Sequence, residues 1–266
     1  MTCREGSGRT PLGSRLWTRR TGKEEVLRLH EGRSRKISNQ VIRCRQNGTM
    51  RHPVQPAPSP SGIPSAAALR ALDRRDPALA KARRRVAAFP GFPVPGQAGS
   101  HFHALARSII YQQLAGAAAK TIHDRVRNLT PGRRFPRPEE VAAISDARLR
   151  GAGLSAAKLA SLRDLSDRVL TRSLPLTAIS RLPDEGVIER LVEVRGIGPW
   201  TAQMFLMFRL GRLDVLAPGD LGLQEGMRRL DGLEERPGPR ELQTRGERWA
   251  PLRSVAAWVL WRLTEA

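Results

Sequence analysis

Cysteine is almost absent from this chain: Cys3 and Cys44, the only two, both stand ahead of Met50. The sequence after Met50 therefore holds no disulfide staple and no four-cysteine iron–sulfur cluster. No run of about 18 apolar residues occurs, so nothing reads as a bilayer-spanning helix. The start of the chain has arginines but no apolar core, which argues against a secretory leader. The expected compartment is intracellular: the bacterial cytoplasm with its nucleoid, or a nucleus. Acidic residues are also scarce, with 25 Asp and Glu against 46 Lys and Arg, a net charge of +21. That excess, nearly all arginine, favours a polyanionic partner, nucleic acid before membrane. Part of it is compositional, since abundant Arg, Ala, Gly and Pro is also what a GC-rich genome encodes. Period-two alternation is missing as well, so the expected fold class is all-α.

The chain divides near residue 62. Met1 to Met50 carries 12 Lys and Arg against 4 Asp and Glu, or +8, and leaves +13 for the rest. Low hydrophobicity with that charge reads as disorder. An equal reading makes Met50 the natural start and the preceding residues a spurious extension. Residues 63–266 carry the helical pattern. Ala66 to Ala88 reads as one or two short helices, the second starting at Asp76-Pro77. After a loop from Pro90 to Gly99, Phe102 to Leu129 reads as one long amphipathic helix. Pro138 to Ile144 is a short helix, and Arg148 to Leu154 turns at its glycines into a helix bearing Leu159, Leu162, Leu165 and Val169. A helix to about Leu230, a polar loop with Pro237 and Pro239, and a last helix ending near Glu265 complete the pattern.

The most informative stretch is LVEVRGIGPWTAQMFLMFRLGRLDVLAPGD, from Leu191 to Asp220. Val187, Leu191, Val192 and Val194 form an apolar face ahead of a turn, Arg195-Gly196-Ile197-Gly198-Pro199. Two glycines let that turn approach another molecule closely, Ile197 anchors it, and Pro199 suits the first turn of a following helix. The turn's N–H groups and the helix N-terminus together read as an anion site suited to a phosphate oxygen. A plain helical hairpin has the same local chemistry. Asp220, in Gly-Asp-Leu-Gly, has the look of a helix N-cap. His101, His103 and His123 lack metal-ligand spacing and read as surface or packing residues.

VRGIGPWTA, followed twenty residues after Trp200 by Asp220, resembles the helix-hairpin-helix DNA glycosylases. The likeness is strongest to the alkylation-repair branch, 3-methyladenine DNA glycosylase II. SIIYQQLAGAAAKTIHDRV and WAPLRSVAAWVLWRL agree in order, so the resemblance spans roughly Ala66 to Ala266. It implies two helical bundles flanking a cleft, one built from about 103 to 210 and the other from the N-terminal and last helices. It implies that Asp220 is catalytic, with Asp214 out of place for that role. It places Trp200, Trp261, Tyr111, Phe205 and Met204 around a flipped base, with Trp258 in reserve. It gives DNA contacts to Arg195, Gly196, Ile197, Gly198 and Thr201, and makes Gln112, Gln113 and Leu114 the segment that fills the gap left by the flipped nucleotide.

The sequence departs from some relatives at Met204, where they have an aromatic, and at Gly219, where many have a second acid. The expected partner is double-stranded DNA containing alkylated bases, bound by a monomer with no membrane. No cofactor or catalytic metal is implied, though a monovalent cation at the hairpin belongs to the resemblance. Relatives that also nick the strand carry a lysine where this chain has Trp200, so strand cutting is not expected. Two rival readings remain open: a non-catalytic DNA-holding module, and a glycosylase for other damaged or mismatched bases.

Overall fold

The computed structural model describes residues 62–93 and 99–265. The expectations for residues 1–61 and for residues 94–98 of the Pro/Gly loop lie outside them. Among the described residues all regular structure is helical. The helices are α1 (Ala66–Arg75), α2 (Pro77–Arg83), α3 (His101–Tyr111), α4 (Gly116–Arg127), α5 (Pro138–Ala143), α6 (Asp146–Gly151), α7 (Ala156–Leu170), α8 (Asp184–Val192), α9 (Pro199–Phe208), α10 (Leu221–Asp231), α11 (Pro239–Gly246) and α12 (Arg253–Glu265). Short polar side chains mark many of the starts. Ser65, Asp76, Ser100, Ser155 and Asp220 each accept the backbone N–H three residues on. Each such cap is worth about 1 kcal/mol.

Three expectations need correcting. The long helix from Phe102 to Leu129 is two helices, broken at Gln113, whose φ of 55° is left-handed. The reason is phase. At about 100° per residue a continuous helix would turn Ile110 away from Ala119 and Val126, yet all three are buried. Arg148 to Gly151, expected to be part of a turn, lie inside α6, which Ser145 caps through the Arg148 N–H at 3.4 Å. The polar loop around Pro239 is largely α11. Pro239 occupies its first turn, Glu241 reaches back to the Gly238 N–H at 2.6 Å, and Leu242 is its buried anchor. One apolar anchor in a charged octet is too little pattern to see from sequence.

Helices α3 to α9 form one bundle, with α3 against α4, α7 and α9, α5 and α6 against α7, and α8 against α9. Helices α1 and α2 join α10 to α12 in the other, where α2 meets α10 and α12. Ile109, Leu162, Leu165 and Leu206 are buried in the first; Leu72, Leu223, Val255 and Leu260 are buried in the second. The crossing of α10 over α12 requires glycine at Gly226, where a Cβ would lie 2.4 Å from the Leu260 carbonyl oxygen. That crossing fixes the start of α10, and so Asp220, against the face of α9.

Candidate active site

The hairpin between α8 and α9 is seated on α7. Gly196 has φ +77°, and a Cβ there would meet Ser161 Oγ at 2.6 Å, so both conformation and space demand glycine. Ile197 is buried, as its place in the turn predicts. Val192 is not part of the buried face; at 39% exposure it points outward while Val187, Leu191 and Val194 pack. The turn's N–H groups are not all open. Arg195 N–H donates to Asp164 Oδ2 at 2.8 Å and Ile197 N–H to the Val194 carbonyl at 3.0 Å. Among the described residues, the N–H groups of Gly196 and Gly198 have no partner, and they stand beside the positive N-terminus of α9.

One side of α9 carries Thr201, Met204, Phe205 and Phe208, and one side of α3 carries Ala104, Arg107, Ser108 and Tyr111. Both sets follow helical spacing. Facing each other, and joined by Gln112, Gln113, Gly196, Trp200 and Arg209, they line a cavity of about 680 Å³. The guanidinium of Arg107 lies over the Tyr111 ring, 4.1 Å from its centroid. Arg209 donates from Nε to His101 Nδ1 at 3.1 Å; burial first, then the Arg209 charge, holds His101 below its usual pKa, which keeps that nitrogen an acceptor. His103 and His123 stack with Phe135 and meet nitrogen to nitrogen at 2.9 Å, so they are packing residues.

Asp220 stands at the N-cap of α10, and three donors converge on it. Leu223 N–H reaches Oδ1 at 2.8 Å, Trp261 Nε1 reaches Oδ1 at 3.1 Å, and Trp200 Nε1 reaches Oδ2 at 2.6 Å. All three are neutral, and among the described residues no Lys or Arg is paired with it. A carboxylate oxygen has two lone pairs, so Oδ1 is filled and Oδ2 retains one. Gly222 makes the approach possible: a Cβ there would lie 3.1 Å from both Asp220 Oδ1 and Trp261 Cδ1. Asp214, the other carboxylate of the motif, is tied to the Arg253 guanidinium by two bonds, at 2.8 and 2.9 Å, and to its backbone N–H at 3.3 Å.

Trp200, Tyr111, Phe205 and Met204 line the cavity. Trp261 does not; it stacks on Phe208, which does, at 5.7 Å between centroids. Trp258 packs edge-on to Phe89 and Phe92 and donates to the Ala87 carbonyl at 3.2 Å, away from the cavity. Thr201, expected to contact DNA, is only 4% exposed, with its hydroxyl beside the Gln112 amide, so it ties α9 to α3 instead. Gln113 and Leu114 form the exposed break between α3 and α4. Arg107, Phe208 and Arg209 also line the cavity without being expected there, although the first two share the helical faces of Tyr111 and Phe205. A monovalent cation at the hairpin would meet main-chain carbonyl oxygens, a neutral donor set that fits a single charge. One of these, that of Gly196, already accepts the Gln112 amide at 2.9 Å.

Comparison with known proteins accords with this geometry. The family model described as "HhH-GPD superfamily base excision DNA repair protein" matches residues 106–251. DNA-3-methyladenine glycosylase 1 of Schizosaccharomyces pombe is 34% identical over 165 residues, which cover 62% of this chain and 72% of that protein. DNA-3-methyladenine glycosylase 2 of Escherichia coli is 29% identical over 183 residues, 66% of this chain and 61% of that protein. Among solved structures, the S. pombe 3-methyladenine DNA glycosylase in complex with abasic DNA is similar with a TM-score of 0.65 at 30% identity, covering 75% of this chain and 97% of that one. The DNA-3-methyladenine glycosidase of Bacillus halodurans is similar with a TM-score of 0.66 at 36% identity, covering 74% of this chain and 88% of that one.

Proposed function

This chain belongs to the HhH-GPD superfamily of base excision DNA repair proteins, and from that premise we infer that it is a DNA glycosylase that excises alkylated purines of the 3-methyladenine and 7-methylguanine type. The observation that carries the reading is Asp220, a carboxylate held by two indoles beside an aromatic-lined cavity. The hairpin N–H groups of Gly196 and Gly198 and the N-terminus of α9 receive a backbone phosphate. A cation held by the hairpin carbonyls would add positive charge at the same place. The alkylated nucleotide leaves the stack, and Gln113 and Leu114 fill its gap. In the cavity the cationic base stacks on the rings of Trp200 and Tyr111, which attract it through their quadrupoles.

Cleavage of the N-glycosidic bond leaves its electron pair on the base and positive charge at C1′. Asp220, fixed before the reaction starts, stabilises that charge without reorganising. Oδ2, with one lone pair open, is the oxygen that faces the sugar, orients the attacking water and accepts its proton as the water adds to C1′. The base departs as a neutral leaving group, so a strong general acid is unnecessary. No amine takes part. Trp200 stands where strand-nicking relatives carry lysine, and the last lysine of the chain, Lys158, is bound to carbonyls of α3. The product is an intact strand with an abasic site.

Incubation of the protein with methylated DNA, followed by chromatography of the released bases, tests the activity. Release of 3-methyladenine and 7-methylguanine, with strand scission only after alkali, is the expected result. DNA binding without release would leave a non-catalytic module. A borohydride-trapped protein–DNA adduct, formed as fast as base release, would overturn the uncut-strand assignment.

A further inference from the structure

Lys158 is a half-buried cation that the reaction does not use. Its Nζ donates to the carbonyls of Ile110 at 2.7 Å and Gln112 at 2.8 Å, at the C-terminal end of α3. Those carbonyls are ones that a helix end leaves unsatisfied, and the ammonium meets the negative end of the α3 dipole. Burial pulls its pKa below that of a free lysine, and among the described residues no carboxylate pairs with it. Lys158 thus stands directly behind the break at Gln113.

The same face of α7 holds the hairpin. Ser161, one turn on, lies under Gly196. Asp164 takes the Arg195 N–H at 2.8 Å, and Arg168 joins Asp164 at 3.1 Å to Glu193 at 3.2 Å. Positions 158, 161, 164 and 168 are spaced by three and four residues, so they line one side of the helix. At about 1.5 Å of rise per residue, Lys158 and Asp164 sit roughly 9 Å apart along its axis. Gln112 closes the frame by donating its amide to the Gly196 carbonyl at 2.9 Å.

We propose that α7 sets the distance between the phosphate-binding hairpin and the Gln113–Leu114 loop, and that Lys158 is the positioning residue at the loop end. The proposal rests on reading that loop as the segment that fills the gap left by the flipped nucleotide. A loop out of place by about 1 Å would leave the stack open while the chemistry at Asp220 stayed intact. The defect should therefore appear only where the base must be extruded from a stacked, paired duplex.

The test is single-turnover release of 7-methylguanine by the full-length protein, from two oligonucleotide substrates. In one the lesion is paired; in the other it lies in an unpaired bulge, where no opposing base holds it in the duplex and extrusion costs less. Lys158→Met should lose between about tenfold and a hundredfold on the paired substrate and less than about twofold on the bulge. A 2-aminopurine beside the lesion should show a smaller fluorescence rise, and Lys158→Arg should restore both readouts. Leu114→Ala is the control for the loop itself and should show the same selective loss. Equal loss on both substrates, together with a lowered melting temperature, would reduce Lys158 to a structural cap and overturn the proposal. So would a paired-substrate defect in Leu114→Ala that Lys158→Met does not share. If Leu114→Ala spares the paired substrate, the gap-filling role falls and the positioning role falls with it, while excision by Asp220 stands.

Discussion

Asp76 and Asp220 each cap a helix, through the N–H of Leu79 at 3.0 Å and of Leu223 at 2.8 Å. Each also accepts an indole N–H, from Trp249 at 2.8 Å and from Trp261 at 3.1 Å. The third partner separates them. At Asp76 it is the guanidinium of Arg245, 2.5 Å away, and the residue is only 3% exposed. Burial raises the Asp76 carboxyl's pKa, but the bonds from Arg245, Leu79 and Trp249 together outweigh it and hold the group below the usual value. At Asp220 the third partner is another indole, that of Trp200, a residue 47% exposed at the rim of the cavity. A carboxylate already paired with a cation has little attraction left for a second. One held in place by neutral donors keeps its charge available for a sugar that becomes cationic only as the bond breaks. The two corners share a scaffold but differ in charge balance and setting, and under the proposed function that difference makes one a clamp and the other a reaction site.

Substituting the two aspartates should separate those roles. Asp220→Asn is expected to cut base release by about a thousandfold or more, the scale of losing a preorganised electrostatic contact. Asparagine still caps α10, so a circular-dichroism melt should stay close to that of the parent, and a gel shift should find DNA binding nearly unchanged because phosphate contacts dominate it. Near-normal release by that folded variant would remove Asp220 from the mechanism. Asp76→Ala should do the reverse. It removes the α2 cap, leaves the buried Trp249 N–H unpaired and leaves Arg245 to Asp231, and should lower stability by about 2–4 kcal/mol in denaturant titration, with release per folded molecule unchanged. An excision defect that survives correction for the folded fraction would mean that the Asp76 corner is more than a clamp.

Acid should sharpen the contrast. The folded Asp76 carboxyl lies below its ordinary value of 3.8, so its contribution to stability is present above that pH and is lost as pH falls through the lower folded value. Urea midpoints measured across that window should fall for the parent and flatten for Asp76→Asn. A parallel fall in both proteins would assign the acid sensitivity to other groups. The smallest effect is expected at Trp261→Phe, which keeps the ring on Phe208 but removes one N–H from Asp220 Oδ1. A single hydrogen bond to a charged group is worth about 1.5 kcal/mol, so release should slow by roughly tenfold. No change in rate would leave Trp200 and the Leu223 N–H as sufficient to hold the carboxylate.

Local backbone chemistry makes much of this molecule legible in its residues alone. The all-α pattern, the Gly-Ile-Gly turn with Pro199 behind it, and the capping potential of Asp220 depend on residues within a turn or two of each other. Features that depend on phase or on distant partners are not legible in that way. The break at Gln113 follows from burying Ile110 and Val126 on the same core, which only the packing of α3 and α4 on the bundle imposes. The Arg195 N–H reads as a donor to DNA, yet Asp164, 31 residues earlier, holds it. Thr201 stands among the residues that the resemblance gives to DNA, yet it is buried with its hydroxyl beside the Gln112 amide.

The sequence by itself determined which residues could do chemistry and the order in which they come. Tertiary structure decided how they meet: Trp200 from α9, Asp220 at the start of α10 and Trp261 from α12 converge on one carboxylate. Spacing along the chain does not encode that convergence. It depends on the crossing of α10 and α12 at Gly226, which places the α10 N-terminus beside both indoles.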